Sequence, residues 1–286
     1  MKSTIFNTSI LLVFWTLAFN SMAANNSVPP SIKSYSFAVV PQQAASRLLR
    51  EWGPVLQYLQ EKTGYRFYFK TAADIPTFEA RLAKGEYDFA YMNPYHFTVF
   101  NDGDEGYQAV VKAKNKVIQG IIVVRKDSSI SSVAELAKHT LAFPAPGAFA
   151  ASILPRGFLT ANHIAFNLKY VSSHDSVYKS VAKGLYIAGG GVIRTLNALE
   201  PEVRDKLRIL WTSEKYTPHA IAMKSSLDTS VFKQVQQALS ELDQDDPGRR
   251  LLAPLKLTGF EAAINADWDD VRALQLDLHL GEKRGG

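Results

Sequence analysis

The stretch SYSFAVVPQQAASRLLREWGPVLQYLQEKTGYRFYFK, residues 34–70, decides the fold class. Tyr35, Phe37 and Val39 alternate with small or polar neighbours, the period of a half-buried strand, and Pro41 ends it. Leu48, Trp52, Val55, Leu56 and Leu59 then recur at helical spacing, with Pro54 read as the start of a second helical turn. Gly64 is placed to cap that helix. Beyond it Tyr65, Phe67 and Phe69 alternate with Arg66, Tyr68 and Lys70, a second strand. Strand, helix, strand in this order is the unit of an α/β protein.

The pattern continues outward. Phe78 and Leu82 mark a short helix that Gly85 stops, residues 87–91 a strand, and Asn93-Pro94 a helix start. Ile118 to Val124 reads as a strand buried on both faces, interrupted by Gln119 and Gly120. Ser132 and Glu135 form a capping box for a helix reaching Lys138. Strands are expected at 140–143, 166–171, 185–189, 207–211 and 220–223. Helices are expected at 147–161, 173–183, 192–199, 228–242 and 268–280. No linker rich in Pro, Gly or Ser divides the chain, which fits a second lobe inserted in a first. The expected division is residues 24–124 and 217–286 for lobe 1 and 125–216 for lobe 2, with crossings near 124–127 and 212–217.

Composition narrows the setting. Lys2 precedes the apolar run Ile10 to Phe19, which is too short to span a bilayer, and Ser21-Met22-Ala23 offers small residues to a signal peptidase. Residues 1–23 are therefore expected to be a signal peptide, and the mature chain to lie in the periplasm rather than in a membrane. Cysteine is absent, which excludes disulfides, thiolate metal sites and a lipidated cysteine. The net charge of +5 falls to +4 when Lys2 is removed. Its densest run, Lys112, Lys114 and Lys116, reads as a solvated hairpin and not a nucleic-acid stripe, which needs aromatics and more arginine.

Several segments together resemble one family. They are Val40-Pro41-Gln42-Gln43, Trp52-Gly53-Pro54, Gly85-Glu86-Tyr87-Asp88 before Asn93-Pro94, and Val124-Arg125-Lys126-Asp127-Ser128. Phe143 to Pro155, Ser173-His174-Asp175 and Leu210-Trp211-Thr212-Ser213 follow in the same order. This order resembles the phosphate/phosphite/phosphonate-binding proteins of ABC transporters over nearly the whole mature chain. The resemblance implies the type II periplasmic-binding fold, in which two α/β lobes close on a ligand.

It also implies a pocket with altered chemistry. Phosphonate binders hold the phosphonate with a Ser-Thr-Ser run at a helix start; the aligned run here is Ala148-Phe149-Ala150, with every hydroxyl gone. Phe149 stands either beside the ligand or in the core. His174 aligns with a histidine that contacts the phosphonate; the alternative is a capping or core role. Ile75 and Ile118 align with two tyrosines. The carboxylates that hold the amine of aminoalkyl phosphonates align with Arg194 and His219, and a further acid with Ile187. Arg194 repels an amine and suits a carboxylate, unless it is a solvated helix residue, and His219 offers a second donor or a pH-sensitive charge. The ligand implied is a small organic anion with an apolar body.

Other chemistry finds no support. Gly189-Gly190-Gly191 lacks the spacing of a phosphate loop and reads as a tight strand-to-helix turn. The six histidines show no metal spacing, and no GxSxG elbow occurs. Asp245-Asp246 and Asp269-Asp270 read as caps or solvated turns. The expected protein is a monomeric binding protein, not an enzyme, without metal or cofactor. It delivers its ligand to a membrane ABC permease or presents it to a periplasmic sensor domain. A phosphonate or phosphite binder with an atypical pocket is the remaining alternative.

Overall fold

Strand β1 (Ser34–Val39), helix α1 (Ala45–Thr63) and strand β2 (Arg66–Lys70) form the unit that the opening stretch predicts. β1 and β2 pair in parallel, with Tyr35 opposite Phe67 and Phe37 opposite Phe69. The apolar stripe of α1 lies on the sheet, where the Phe37 and Trp52 rings are 5.5 Å apart. Gly64 adopts the left-handed conformation and caps α1 as expected. Pro54 starts no second turn; α1 runs through it unbroken. The preceding residue is Gly53, which lacks the Cβ that a proline ring would crowd.

The computed structural model describes residues 32–101 and 106–276. The signal-peptide segment 1–23 lies outside them, as do residues 277–280 of the expected last helix. The remaining strands are β3 (Phe89–Met92), β4 (Tyr107–Ala113), β5 (Gly120–Arg125), β6 (Thr140–Phe143), β7 (Asn167–Tyr170), β8 (Ala188–Val192), β9 (Leu207–Thr212), β10 (Ala220–Lys224) and β11 (Phe260–Ala262). They form two sheets, ordered β11-β4-β10-β3-β1-β2 and β7-β6-β8-β5-β9. Helices α2 (Ile75–Ala83), α3 (Pro94–Phe100), α4 (Leu154–Ala161), α5 (His174–Ala182), α6 (Ile193–Asn197), α7 (Pro201–Arg204), α8 (Thr229–Glu241), α9 (Asp246–Leu252) and α10 (Asp269–Arg272) complete the two lobes.

Sheet membership corrects the expected division at one end. β5 belongs to the second sheet, antiparallel to β8 and β9, so residues 120–124 do not lie in the first lobe. The chain passes to the second sheet between Ala113 and Gly120 and returns between Thr212 and Ala220. The crossing segments are bonded to each other. Ile118 and Tyr216 exchange both backbone hydrogen bonds, at 2.9 and 3.0 Å. Gly120 N–H donates to Ser213 Oγ at 2.9 Å, and Ser213 N–H to Gly120 O at 2.8 Å.

Three local expectations are also revised. The glycine run is not a turn but the body of β8, between Ala188 and Val192. Its alternating faces explain the composition: a Cβ on Gly190 would lie 1.9 Å from Ala151 O, and one on Gly189 2.4 Å from Val177 Cγ1. One face admits a π-helical turn, Phe149–Ile153, that leads into α4, and the other admits α5. The helix expected to reach Lys138 is a single 3₁₀ turn, Val133–Leu136, because Lys138 turns left-handed (φ 65°) and donates its N–H to Ala165 O. The lysine run is no free hairpin. Lys112 pairs with Asp267 at 3.0 Å and Lys114 with Asp243 at 2.9 Å, within the first lobe.

Two glycines in unlike surroundings give a test of this packing. Gly190→Ala is expected to destabilise by about 2 kcal/mol or more through overpacking against Ala151. Gly157 sits in α4 with nothing within 4 Å of an added Cβ and no proline after it, so Gly157→Ala should stabilise by roughly 0.5–1 kcal/mol. Urea unfolding of both variants checks the opposite signs.

Candidate functional site

Both lobes contribute to the space between the two sheets. Apolar residues from Ala145 to Leu154 in the second lobe join the same buried cluster as the core of the first. Polar contacts stitch the seam. Asn93 Oδ1 caps α3 by accepting from His96 N–H at 2.8 Å, while its Nδ2 reaches across to Gly147 O at 3.0 Å. Arg47 Nη1 donates to Ala198 O at 3.0 Å. Arg194 Nη2, at the head of α6, donates to Gln42 Oε1 at 2.6 Å, just beyond β1.

Seven of the eight residues singled out in the sequence line one small cavity at this seam. Ile75 and Ile118 come from the first lobe and the first crossing, His219 from the turn before β10. Ala148 caps the π-helical turn, Phe149 and Ala150 lie in it, and His174 comes from the start of α5. The cavity holds about 10 Å³, the space of a single water. Phe149 is a reason: its ring is fully buried and meets Tyr216 edge-on at 5.6 Å. The eighth residue, Arg194, lines a larger cavity of about 360 Å³ next to the first. Gln42, Ile118, Val192 and His219 border both.

Hydrogen-bond chemistry orients this partition. A guanidinium only donates, so the atom of Gln42 facing Arg194 is the carbonyl oxygen. The amide nitrogen of Gln42 then points at His219 Nε2, 2.9 Å away, and donates to it. His219 is thus an acceptor here rather than the donor or switchable charge read from sequence. Its ring stacks on Tyr91, 4.9 Å between centroids at 19°. Burial first, and then the charge of Arg194 and the neighbouring His96 and His174, hold its pKa well below the ordinary histidine value.

His174 is held in a different way. Its Nδ1 lies 3.3 Å from Thr195 Oγ1, and Thr195 donates its own proton to Val192 O at 3.0 Å. The Nε2 of His174 is buried and has no hydrogen-bond partner among the described residues. Burial, reinforced by Arg194, pulls the His174 pKa down to about 3. Gln42 lies in the family-like run Val40-Pro41-Gln42-Gln43, to which the sequence reading assigns no role. Its signal was there, since a polar pair follows the carboxyl end of a strand in an α/β sheet, where ligands bind. Lys116 and Lys256, which also border the larger cavity, were missed.

Two α/β lobes, joined by two bonded crossings around a ligand-sized space, define a type II periplasmic-binding fold. The family model of the periplasmic phosphonate substrate-binding proteins of ABC transporters matches residues 37–268, and the chain belongs to that family. A binding-protein component of an ABC phosphonate transporter from Pseudomonas aeruginosa superposes with a TM-score of 0.76 at 17% identity, over 89% of this chain and 91% of that one. A Prochlorococcus marinus protein solved with methylphosphonate gives 0.77 at 14% identity, over 85% and 97%. A Xanthomonas citri protein solved with ATP gives 0.66 at 17%, over 84% and 98%.

The neutral histidines make stability depend on pH with a definite sign. Their folded pKa values lie below the unfolded value of 6.5, so their contribution is complete above pH 6.5 and is lost as pH falls towards the folded values. Each is expected to remove up to about 1.4 kcal/mol per pH unit through that window. Urea midpoints at pH 7 and pH 5 check the loss, and His174→Gln should flatten it.

Proposed function

We propose that this protein is exported to the periplasm and captures a small organic anion between its lobes, without turning it over, for delivery to an ABC permease. The carrying observation is Arg194. It is half-buried at the seam, bonds to a neutral amide, and makes no ion pair among the described residues. A cation so placed favours an anionic guest, because a carboxylate accepts a charge-assisted, two-pronged bond that Gln42 cannot match. Neither cavity is lined by an Asp or Glu, so nothing there would hold a cationic amine.

The mechanism follows from the seam. Opening turns the lobes about the bonded crossings and breaks the Arg194–Gln42 bond. A ligand that enters takes over the guanidinium, bridges the lobes and stabilises the closed form, which is the form presented to the permease. We propose residues 32–113 and 220–276 as the first lobe and 120–212 as the second. The ligands named for the Prochlorococcus and Xanthomonas proteins are themselves anions, which supports the reading.

Calorimetry with the anion that co-purifies with the protein tests it. Arg194→Ala is expected to weaken binding about tenfold or more, since a hydrogen bond to a charged group is worth roughly 1.5–3 kcal/mol. Arg194→Lys should restore only part, and Lys114→Ala, whose ammonium faces Asp243, should change nothing. 2-Aminoethylphosphonate should fail to bind below micromolar concentration, as its ammonium would meet Arg194. Unchanged affinity in a cooperatively melting Arg194→Ala protein would remove the basis for an anionic ligand.

A further inference from the structure

We infer that the ligand site has moved out of the phosphonate cradle into the chamber of about 360 Å³ beyond Arg194, and that it takes an organic dianion, a dicarboxylate with an apolar body. This rests on the reading that the interlobe cleft captures an anion, and adds where it sits, how many charges it carries and which further residues hold it.

Size separates the two spaces. The cavity at His174 and the Ala148-Phe149-Ala150 run holds about 10 Å³, too little for a phosphonate in this structure. The chamber on the other side of Gln42 and His219 falls within the range of about 300–1,000 Å³ typical of small-molecule sites.

Charge then selects the guest. Lys116, Arg194 and Lys256 line the chamber, and no acid does. Arg194 belongs to the second lobe, Lys116 to the first crossing and Lys256 to the turn after α9, so the cations converge from separate parts of the chain. Of the lysine run, Lys112 and Lys114 are paired with Asp267 and Asp243, whereas Lys116 makes no ion pair among the described residues. The unpaired member of the run is the one that borders the chamber. Lys256 is likewise without an ion pair there, and sits at a left-handed backbone position (φ 58°) that few non-glycine residues adopt. Between the cations the walls are apolar, at Ile118, Val192, Ile193 and Leu257. Three cations without a carboxylate leave a monoanion surrounded by unmatched charge. Two carboxylates, one on the Arg194 fork and one on the lysine side, with a hydrocarbon stretch along the isoleucines, match the lining.

The test titrates the full mature chain with succinate, glutarate, adipate, hexanoate and methylphosphonate by calorimetry. At least one dicarboxylate is expected to bind tenfold or more tightly than hexanoate, and methylphosphonate more weakly than that dicarboxylate. In the Lys116→Gln/Lys256→Gln double variant the advantage over hexanoate should disappear. Both lysines are exposed, and an unchanged melting midpoint verifies the fold. The inference is overturned if no dicarboxylate binds, if methylphosphonate binds more tightly than all of them, or if the double variant keeps the full advantage. Arg194→Ala separates that failure from failure of the broader reading. If it still weakens whichever anion binds, the cleft remains an anion site with a different seat. If it does not, both fall.

Discussion

The backbone hydrogen bonds between Ile118 and Tyr216 are the constraint on which the rest depends. They hold the two crossings side by side, so the lobes can move only about a narrow, two-stranded hinge. Ser213 extends the hinge by bonding Gly120 through both its hydroxyl and its backbone. Because Ile118 sits on the hinge itself, it walls both cavities. The same pairing explains why β5 and β9 share a sheet: chains bonded at the crossings continue as neighbouring strands.

Close packing at one strand sets the shape of the cleft. Three glycines in β8 leave no side chains on either face, so the π-helical turn presses its Ala151 carbonyl against Gly190, and Tyr178 places its hydroxyl against Gly191. That hydroxyl accepts from Val192 N–H at 2.8 Å and so fixes the strand end from which Thr195 and Arg194 project. Bringing the turn this close places the buried Phe149 at the seam, against the small cavity.

Electrostatics at the buried histidines follow from Arg194, which makes no ion pair among the described residues. Arg194 stands near two buried imidazoles, and desolvation together with its charge keeps both neutral. A neutral His219 accepts from Gln42, which in turn accepts from Arg194, so the protonation state and the hydrogen-bond direction depend on each other. His174 keeps a buried Nε2, without a partner among the described residues, beside the one-water cavity, where a water would satisfy it.

Local periodicity by itself determined the β1–α1–β2 unit, the alternating α/β order and the Gly64 cap, because each depends on neighbours within a few residues. The family-like order of segments carried the two-lobed fold and the set of residues that meet at the seam. Other features were illegible for physical reasons. Pro54 looked like the start of a second helical turn because its clash depends on the residue before it, and Gly53 removes that clash. Gly189-Gly190-Gly191 looked like a turn because glycine marks both turns and close packing, and only α5 and the π-helical turn show which applies. The pairing of Lys112 and Lys114 with acids more than a hundred residues away left Lys116 as the member of the run without an ion pair among the described residues, a distinction no run of lysines displays. Gln42 gained its role only when folding brought Arg194 and His219 to opposite ends of its amide. Sequence set the side chains available to the cleft, and tertiary structure decided which were filled, which were paired and which were left to meet a ligand.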